Sequence, residues 1–156
     1  MGPAINKYPG RYFEDINVGD VIVFKPFVIS DSEARSFGDL TKDLNPLHFD
    51  AEFCEIRSLF RRPVIHGLAV IARAIGTVSE DGFWDGTCMA FLGANELRFR
   101  RPVFPGDELQ LTLTVTAKNE KEKCGLIDFF MEIKKTKTDA AVIAGGISVM
   151  IAKSVK

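Results

Sequence analysis

The chain has little cysteine, no long apolar run and no excess of charge of either sign, and each shortage excludes something. Three cysteines in 156 residues, Cys54, Cys88 and Cys124, are widely spaced. An odd number with no C-x-x-C pair and no Cys/His cluster is neither a disulfide framework nor a structural zinc site. They read as small apolar residues in a reducing compartment. No stretch approaches the roughly 18 apolar residues that a membrane-crossing helix needs. The first residues, MGPAINKYPG, lack the charged and then apolar regions of a signal peptide, and Asn6 stands where a myristoylation motif at Gly2 needs Ser or Thr. A soluble, cytoplasmic protein is therefore expected. Twenty basic against 21 acidic side chains leave a net charge of -1. That balance gives no electrostatic reason to expect nucleic acid or an anionic membrane as partner.

What is present is a core. Hydrophobic residues make up 46% and charged residues 26% of the chain, the balance of one globular domain over residues 1–156. Residues 1–19, with Gly2, Pro3, Pro9, Gly10 and Gly19, read as an N-terminal arm that packs late or partly. Val21 to Phe24, continuing to Ile29, reads as a strand. Ser30 with Glu33 three residues on is a capping box that opens a helix over 31–40, with Ala34, Phe37 and Leu40 on one face. Residues 66–80, HGLAVIARAIGTVSE, are apolar on nearly every side, so this helix must be wrapped. The wrapper follows. Leu109, Leu111, Leu113, Val115 and Ala117 alternate strictly with polar residues, and Ile127, Phe129, Met131 and Ile133 repeat the pattern. Leu97 and Phe99 alternate with Arg98 and Arg100, and residues 140–152 form a last, almost wholly apolar run read as covered on both faces. The fold class is α+β, an antiparallel sheet curled around one central helix, with strand edges suited to dimerisation.

Both histidines stand near the start of that helix. Asp43 and His48 flank an Asn45-Pro46 turn, which can bring carboxylate and imidazole to one water, as acid–base chemistry requires. Such pairs more often cap helices or bond the backbone, and spacing alone leaves both readings open. Gly67 at the helix start allows a ligand to approach backbone N–H groups at the positive end of the helix dipole. It equally allows tight packing alone. His66 reads as a structural residue that satisfies loop backbone.

The run Phe37-Gly38-Asp39-Leu40-Thr41-Lys42-Asp43-Leu44-Asn45-Pro46-Leu47-His48 resembles the signature of the MaoC-like dehydratases, the (R)-specific enoyl-CoA hydratases. Arg62-Pro63-Val64-Ile65-His66-Gly67 and Arg101-Pro102-Val103-Phe104-Pro105-Gly106-Asp107 resemble two further blocks of that family, and the likeness extends from about Tyr12 to Ala152. The resemblance implies a hot-dog fold and reversible hydration of a trans-2-enoyl-CoA to an (R)-3-hydroxyacyl-CoA. It implies Asp43 and His48 as the catalytic pair holding the water, the Gly67 N–H polarising the thioester carbonyl, and Asn45 shaping the turn. It also implies an acyl-CoA substrate, no metal or redox cofactor, and a homodimer or higher homo-oligomer. Lys42 departs from the family's usual Gly, so a positive φ there would be strained. Cys54 replaces an Ala or Ser of similar size. Two alternatives stand beside this reading: a hot-dog acyl-CoA thioesterase, and a non-catalytic acyl-binding subunit of a hetero-oligomer. Arg61, Arg62, Arg98, Arg100 and Arg101 are the cations near enough to the motifs for CoA phosphates, although alternation places Arg98 and Arg100 on a solvated strand face. Phe49, Phe53, Phe60, Trp84 and Phe91 are candidates to close the acyl pocket.

Overall fold

A computed structural model describes Tyr8 and residues 10–154; the expected arm's residues 1–7 and 9 lie outside the described residues. The described order is β1 (Val21–Val23), β2 (Phe27–Val28), α1 (Asp31–Thr41), α2 (Ala51–Arg57), α3 (Gly67–Asp81), β3 (Cys88–Phe99), β4 (Glu108–Glu120), β5 (Cys124–Lys135) and β6 (Ala141–Ala152). Short 3₁₀ turns sit at Phe13–Asp15 and Pro46–His48.

The alternating runs do become the sheet. β4, β5 and β6 form an antiparallel meander in which Leu111 opposes Ile133, Leu113 opposes Met131 and Val115 opposes Phe129. Ile127 and Phe129 in turn oppose Val149 and Ile147. All of these side chains face α3 and are essentially inaccessible to water. A one-residue slip would turn the whole apolar set outward, so burial of one face sets the register. The strand order β1-β4-β5-β6-β3 differs from a simple four-strand meander: β3 crosses to the far edge and pairs only with β6.

Several expectations need correction. The strand expected from Val21 to Ile29 is broken into β1 and β2, both pairing with β4. The strand inferred around Leu97 and Phe99 begins at Cys88, and bulges interrupt its pairing with β6, which hides its alternation. The last strand is buried on the helix side but only half-buried on the other. In α1 the capping box is present, with the Ser30 hydroxyl accepting from the Glu33 N–H and the Glu33 carboxylate accepting from the Ser30 N–H. That N–H, with the Ser30 hydroxyl, holds the Glu33 carboxyl below its ordinary value. Ala34 faces the core and Phe37 packs against it, but Leu40 is 80% exposed one turn later. Residues 10–19 are not a loose arm, because Phe13 and Ile16 enter the core and the Gly10 N–H donates to the Asp85 carbonyl.

The helix α3 is the largest correction. Ala69, Val70, Ala74, Thr77 and Val78 form one buried stripe, which the sheet wraps. A second apolar stripe at Leu68, Ile71, Ala72 and Ile75 is less well covered: Leu68 is 65% exposed and Ala72 is exposed, while Ile71 and Ile75 are half-buried against the core. A single sheet curls around only one side of a helix, so apolar residues all round do not mean burial all round within one chain. Among the described residues, no helix is long and apolar enough to cross a membrane.

Candidate active site

The loop between α1 and α2 is built by local backbone chemistry. α1 ends at Lys42, whose φ of 64° and ψ of 13° are left-handed. This is the conformation a Gly adopts without cost after a helix, and a lysine pays for it. The chain then reverses at Asn45, whose side-chain oxygen accepts from the Leu47 N–H at 3.0 Å, and Pro46 opens the 3₁₀ turn that ends on His48. The turn can press close to α1 because Gly38 has no side chain. A Cβ there would lie 2.6 Å from the Phe49 ring and 3.2 Å from the Asp43 carbonyl oxygen.

The reversal brings Asp43 and His48 together and adds His66 at the entry of α3. One ligating atom from each of the three lies within 4.8 Å of the others. The His48 and His66 rings stack, with centroids 3.6 Å apart and planes 24° from parallel. His48 Nδ1 is 2.7 Å from the Val64 carbonyl oxygen, and a carbonyl only accepts, so Nδ1 carries the proton and Nε2 presents a lone pair. His66 Nε2 donates in the same way to the Asp43 carbonyl at 2.9 Å, the loop-satisfying bond expected of it. Asp43 itself is exposed, while His48 is half-buried and His66 buried.

His48 and Gly67 line a cavity of about 520 Å³ whose walls include Phe60, Leu68, Val70, Phe99, Val103 and Ile143. The α3 N-terminus reaches this cavity with no side chain capping it. A Cβ on Gly67 would lie 2.4 Å from the Phe99 ring, so glycine is needed there for the approach of that ring as well as for any ligand. Arg100 and Arg101 stand in the cavity wall, although Arg101 Nη1 is committed to the Ala141 carbonyl at 2.8 Å. Arg62 lies over the Phe104 ring at 3.5 Å, Arg61 donates to the Glu55 carbonyl, and Arg98 is exposed on its strand. Of the five aromatic residues considered as closing the pocket, only Phe60 lines it. Phe49 packs on His66, Trp84 is buried in the core, and Phe53 and Phe91 are surface-exposed. The residues that line it in their place, Phe99, Val70 and Ile143, come from three separate elements, and no local pattern marks them. The three cysteines are free thiols, and burial pushes Cys54 and Cys88 up, away from the reactive thiolate.

The sequence profile of the MaoC like domain family matches residues 15–138. The chain belongs to the MaoC-like dehydratase family. It is 31% identical over 147 residues to an (R)-specific enoyl-CoA hydratase of Rhodospirillum rubrum, covering 90% of this chain and 92% of that protein. A second (R)-specific enoyl-CoA hydratase, from Aeromonas caviae, is 35% identical over 89 residues, which is 57% of this chain and 63% of that one. The chain spans only 33% of the length of Protein MaoC from Klebsiella aerogenes, to which it is 31% identical over 72% of its own length. Among solved structures, the monoamine oxidase regulatory protein from Archaeoglobus fulgius superposes with a TM-score of 0.84 at 31% identity, covering 94% of this chain and 97% of that one. A double hotdog protein from Mycobacterium tuberculosis superposes with a TM-score of 0.81 at 24% identity, over 93% of this chain and 45% of that one. This MaoC-like protein therefore has the hot-dog fold. Hydratases and dehydratases of 3-hydroxyacyl and enoyl thioesters recur among its relatives.

Proposed function

We propose that this MaoC-like protein is an (R)-specific enoyl-CoA hydratase working reversibly as a 3-hydroxyacyl-CoA dehydratase. The observation that carries the reading is the convergence of Asp43 and His48, with the Nε2 lone pair of His48 free and His48 sharing an apolar cavity with Gly67. In this reading the acyl chain lies against Phe99, Val70 and Ile143, and the thioester carbonyl approaches the uncapped start of α3 at Gly67. Asp43 and His48 hold one water between them. Its oxygen adds to Cβ, its proton passes to the pair, and a proton is delivered to Cα as the enolate collapses. The N–H at Gly67 stabilises the oxyanion in between, and Asn45 keeps the turn closed. A positioned acid–base group contributes about 10²–10⁴-fold and an oxyanion donor about 10²–10³-fold.

Hydration is redox-neutral overall, so the reading includes no redox cofactor. It also includes no metal, because it assigns the His48 Nε2 lone pair and the Asp43 carboxylate to the water. A homodimer is part of the proposal. Among the described residues β3 is a free edge with Met89, Phe91, Leu92 and Phe99 exposed, and the second apolar stripe of α3 flanks the same cavity through Leu68. A second copy would cover both.

The test is a panel of short to long trans-2-enoyl-CoAs, following loss of the conjugated absorbance and the configuration of the product. Formation of (R)-3-hydroxyacyl-CoA is the expected result. Release of free thiol from saturated acyl-CoA would replace the reading with a thioesterase, and acyl-CoA binding without turnover would replace it with a binding subunit. Sedimentation of the purified protein as a monomer would remove the dimer.

A further inference from the structure

His66 is 3% exposed and its Nδ1 has no hydrogen-bond partner. An unpaired buried polar atom is costly, and the few that persist call for a reason. The ring's other nitrogen supplies one. Nε2 donates to the main-chain carbonyl of Asp43, and among the described residues this is the one hydrogen bond tying Asp43 to anything beyond 41–45. The Asp43 carboxylate stands 3.9 Å from the same nitrogen, outside hydrogen-bond range, so the donor holds the backbone and leaves the carboxylate only a long, 3.5 Å bond from the Asn45 N–H. The face of the His66 ring meanwhile backs His48, with Phe37 and Phe49 tilted against it at 5.2 and 5.5 Å. A carbon ring of this shape would pack there without an orphaned nitrogen, but it would not reach Asp43.

We propose that His66 is a positioning residue, whose Nε2–H sets the Asp43 loop and whose ring sets His48, so that the two face one water. The proposal rests on the hydratase reading of Asp43 and His48. The two stacked imidazoles hold opposite tautomers, Nδ1–H on His48 and Nε2–H on His66, and the unpaired Nδ1 is what that arrangement costs.

Two variants of the full chain separate positioning from packing. His66→Phe keeps a ring against His48 and removes the donor; His66→Gln places an amide N–H near the former Nε2. The expected result for His66→Phe is a kcat lower by about 10- to 100-fold, as for a misplaced reacting group, with an unchanged KM and a thermal midpoint no lower than wild type. His66→Gln should recover most of kcat. Wild-type kcat in His66→Phe, a change in KM alone, or equal losses in both variants would overturn the proposal. Should wild-type protein hydrate no thioester, the hydratase reading fails by itself, and the positioning claim is still decided by ¹⁵N spectra of the imidazoles. With two histidines in the chain, assignment follows from either variant. An Nε2–H signal for His66 and an Nδ1–H signal for His48 support the claim, and the reverse pattern overturns it.

Discussion

The sheet and the loop that ends on His48 are built to different standards. Along β4, β5 and β6, apolar residues oppose apolar residues across successive strands, and none of the facing side chains leaves a polar atom unpaired. Residues 42–66, around the start of α3, break several local rules. Lys42 and Arg61 have φ values of 64° and 62°, His66 keeps an unpaired buried nitrogen, and the Asp43 carboxylate stands exposed. Glu96 in β3 and Asp139 between β5 and β6 are also left-handed and the Thr87 hydroxyl is also unpaired, but between residues 42 and 66 such conflicts stand beside a candidate acid–base pair. The difference teaches where to look: the sheet carries the buried packing, and residues 42–66 carry the groups proposed for chemistry.

The comparison breaks most sharply if substitutions at the loop cost stability rather than rate. His48→Gln and Asp43→Asn are each expected to lower kcat/KM by about 10²–10⁴-fold, equivalent to about 3–5 kcal/mol of barrier, while Asp43→Asn leaves the thermal midpoint almost unmoved. Steady-state hydration assays beside a melting curve check both halves. The converse substitution is Leu113→Ala, which removes a fully buried side chain between Val115 and Leu111. A loss of about 2–5 kcal/mol in urea unfolding is expected, with turnover per folded molecule retained.

Smaller effects sharpen the contrast. Asp107 opens the turn into β4, accepts from the Phe104 N–H and pairs with Lys135 at 2.7 Å. Burial alone would raise its carboxyl, but Lys135 and the Phe104 N–H outweigh that and hold it below the ordinary carboxylate range. A depressed folded value means that the stabilisation is present above the unfolded value and disappears as pH falls through the folded one. Asp107→Asn should therefore cost on the order of 1 kcal/mol at neutral pH. The gap from wild type should close as acid unfolding curves are taken below about pH 4. The smallest effect is a gain. Relief of the left-handed backbone at Lys42 is worth about 1–2 kcal/mol, and the freer unfolded chain takes back about 0.5–1. Lys42→Gly should thus stabilise by about 0.5–1 kcal/mol with turnover retained, seen as a small rise in melting temperature.

How much of this was readable beforehand depended on how local each signal is. The alternation of Leu109 to Ala117 and of Ile127 to Ile133 announces two strands, because period two needs no partner to be recognised. The capping box at Ser30 and Glu33 announces α1 for the same reason. β3 was legible only around Leu97 and Phe99, since its bulges break the register at three places between Cys88 and Arg98. Leu40 and Leu68 looked like core and are exposed, because periodicity says which residues share a face and not what covers it. At the site, Asp43, His48 and Gly67 stood out through their motifs. Val64, whose carbonyl sets the tautomer of His48, and Phe99, whose ring covers Gly67, stood only within a motif block and a strand pattern, with nothing to mark these roles. Each acts through a neighbour brought close by folding.

The positive φ at Lys42 lies between the two cases. The sequence marked the position as unusual through its resemblance to a family with glycine there, and the backbone then took the left-handed turn with lysine in place.

The shortage of cysteines, of long apolar runs and of net charge, together with the alternating runs and one apolar helix, determined an α+β domain with a single core. Those are properties of short windows: the period of the apolar residues is carried by each window alone, although the burial it favours needs a partner surface. Tertiary structure alone decided that only one side of α3 is wrapped, that β3 lies at the open edge, and that the two histidines stack with opposite nitrogens protonated. Each of these depends on groups separated by many residues in the chain meeting at hydrogen-bond or van der Waals distance, a condition that no window of sequence contains.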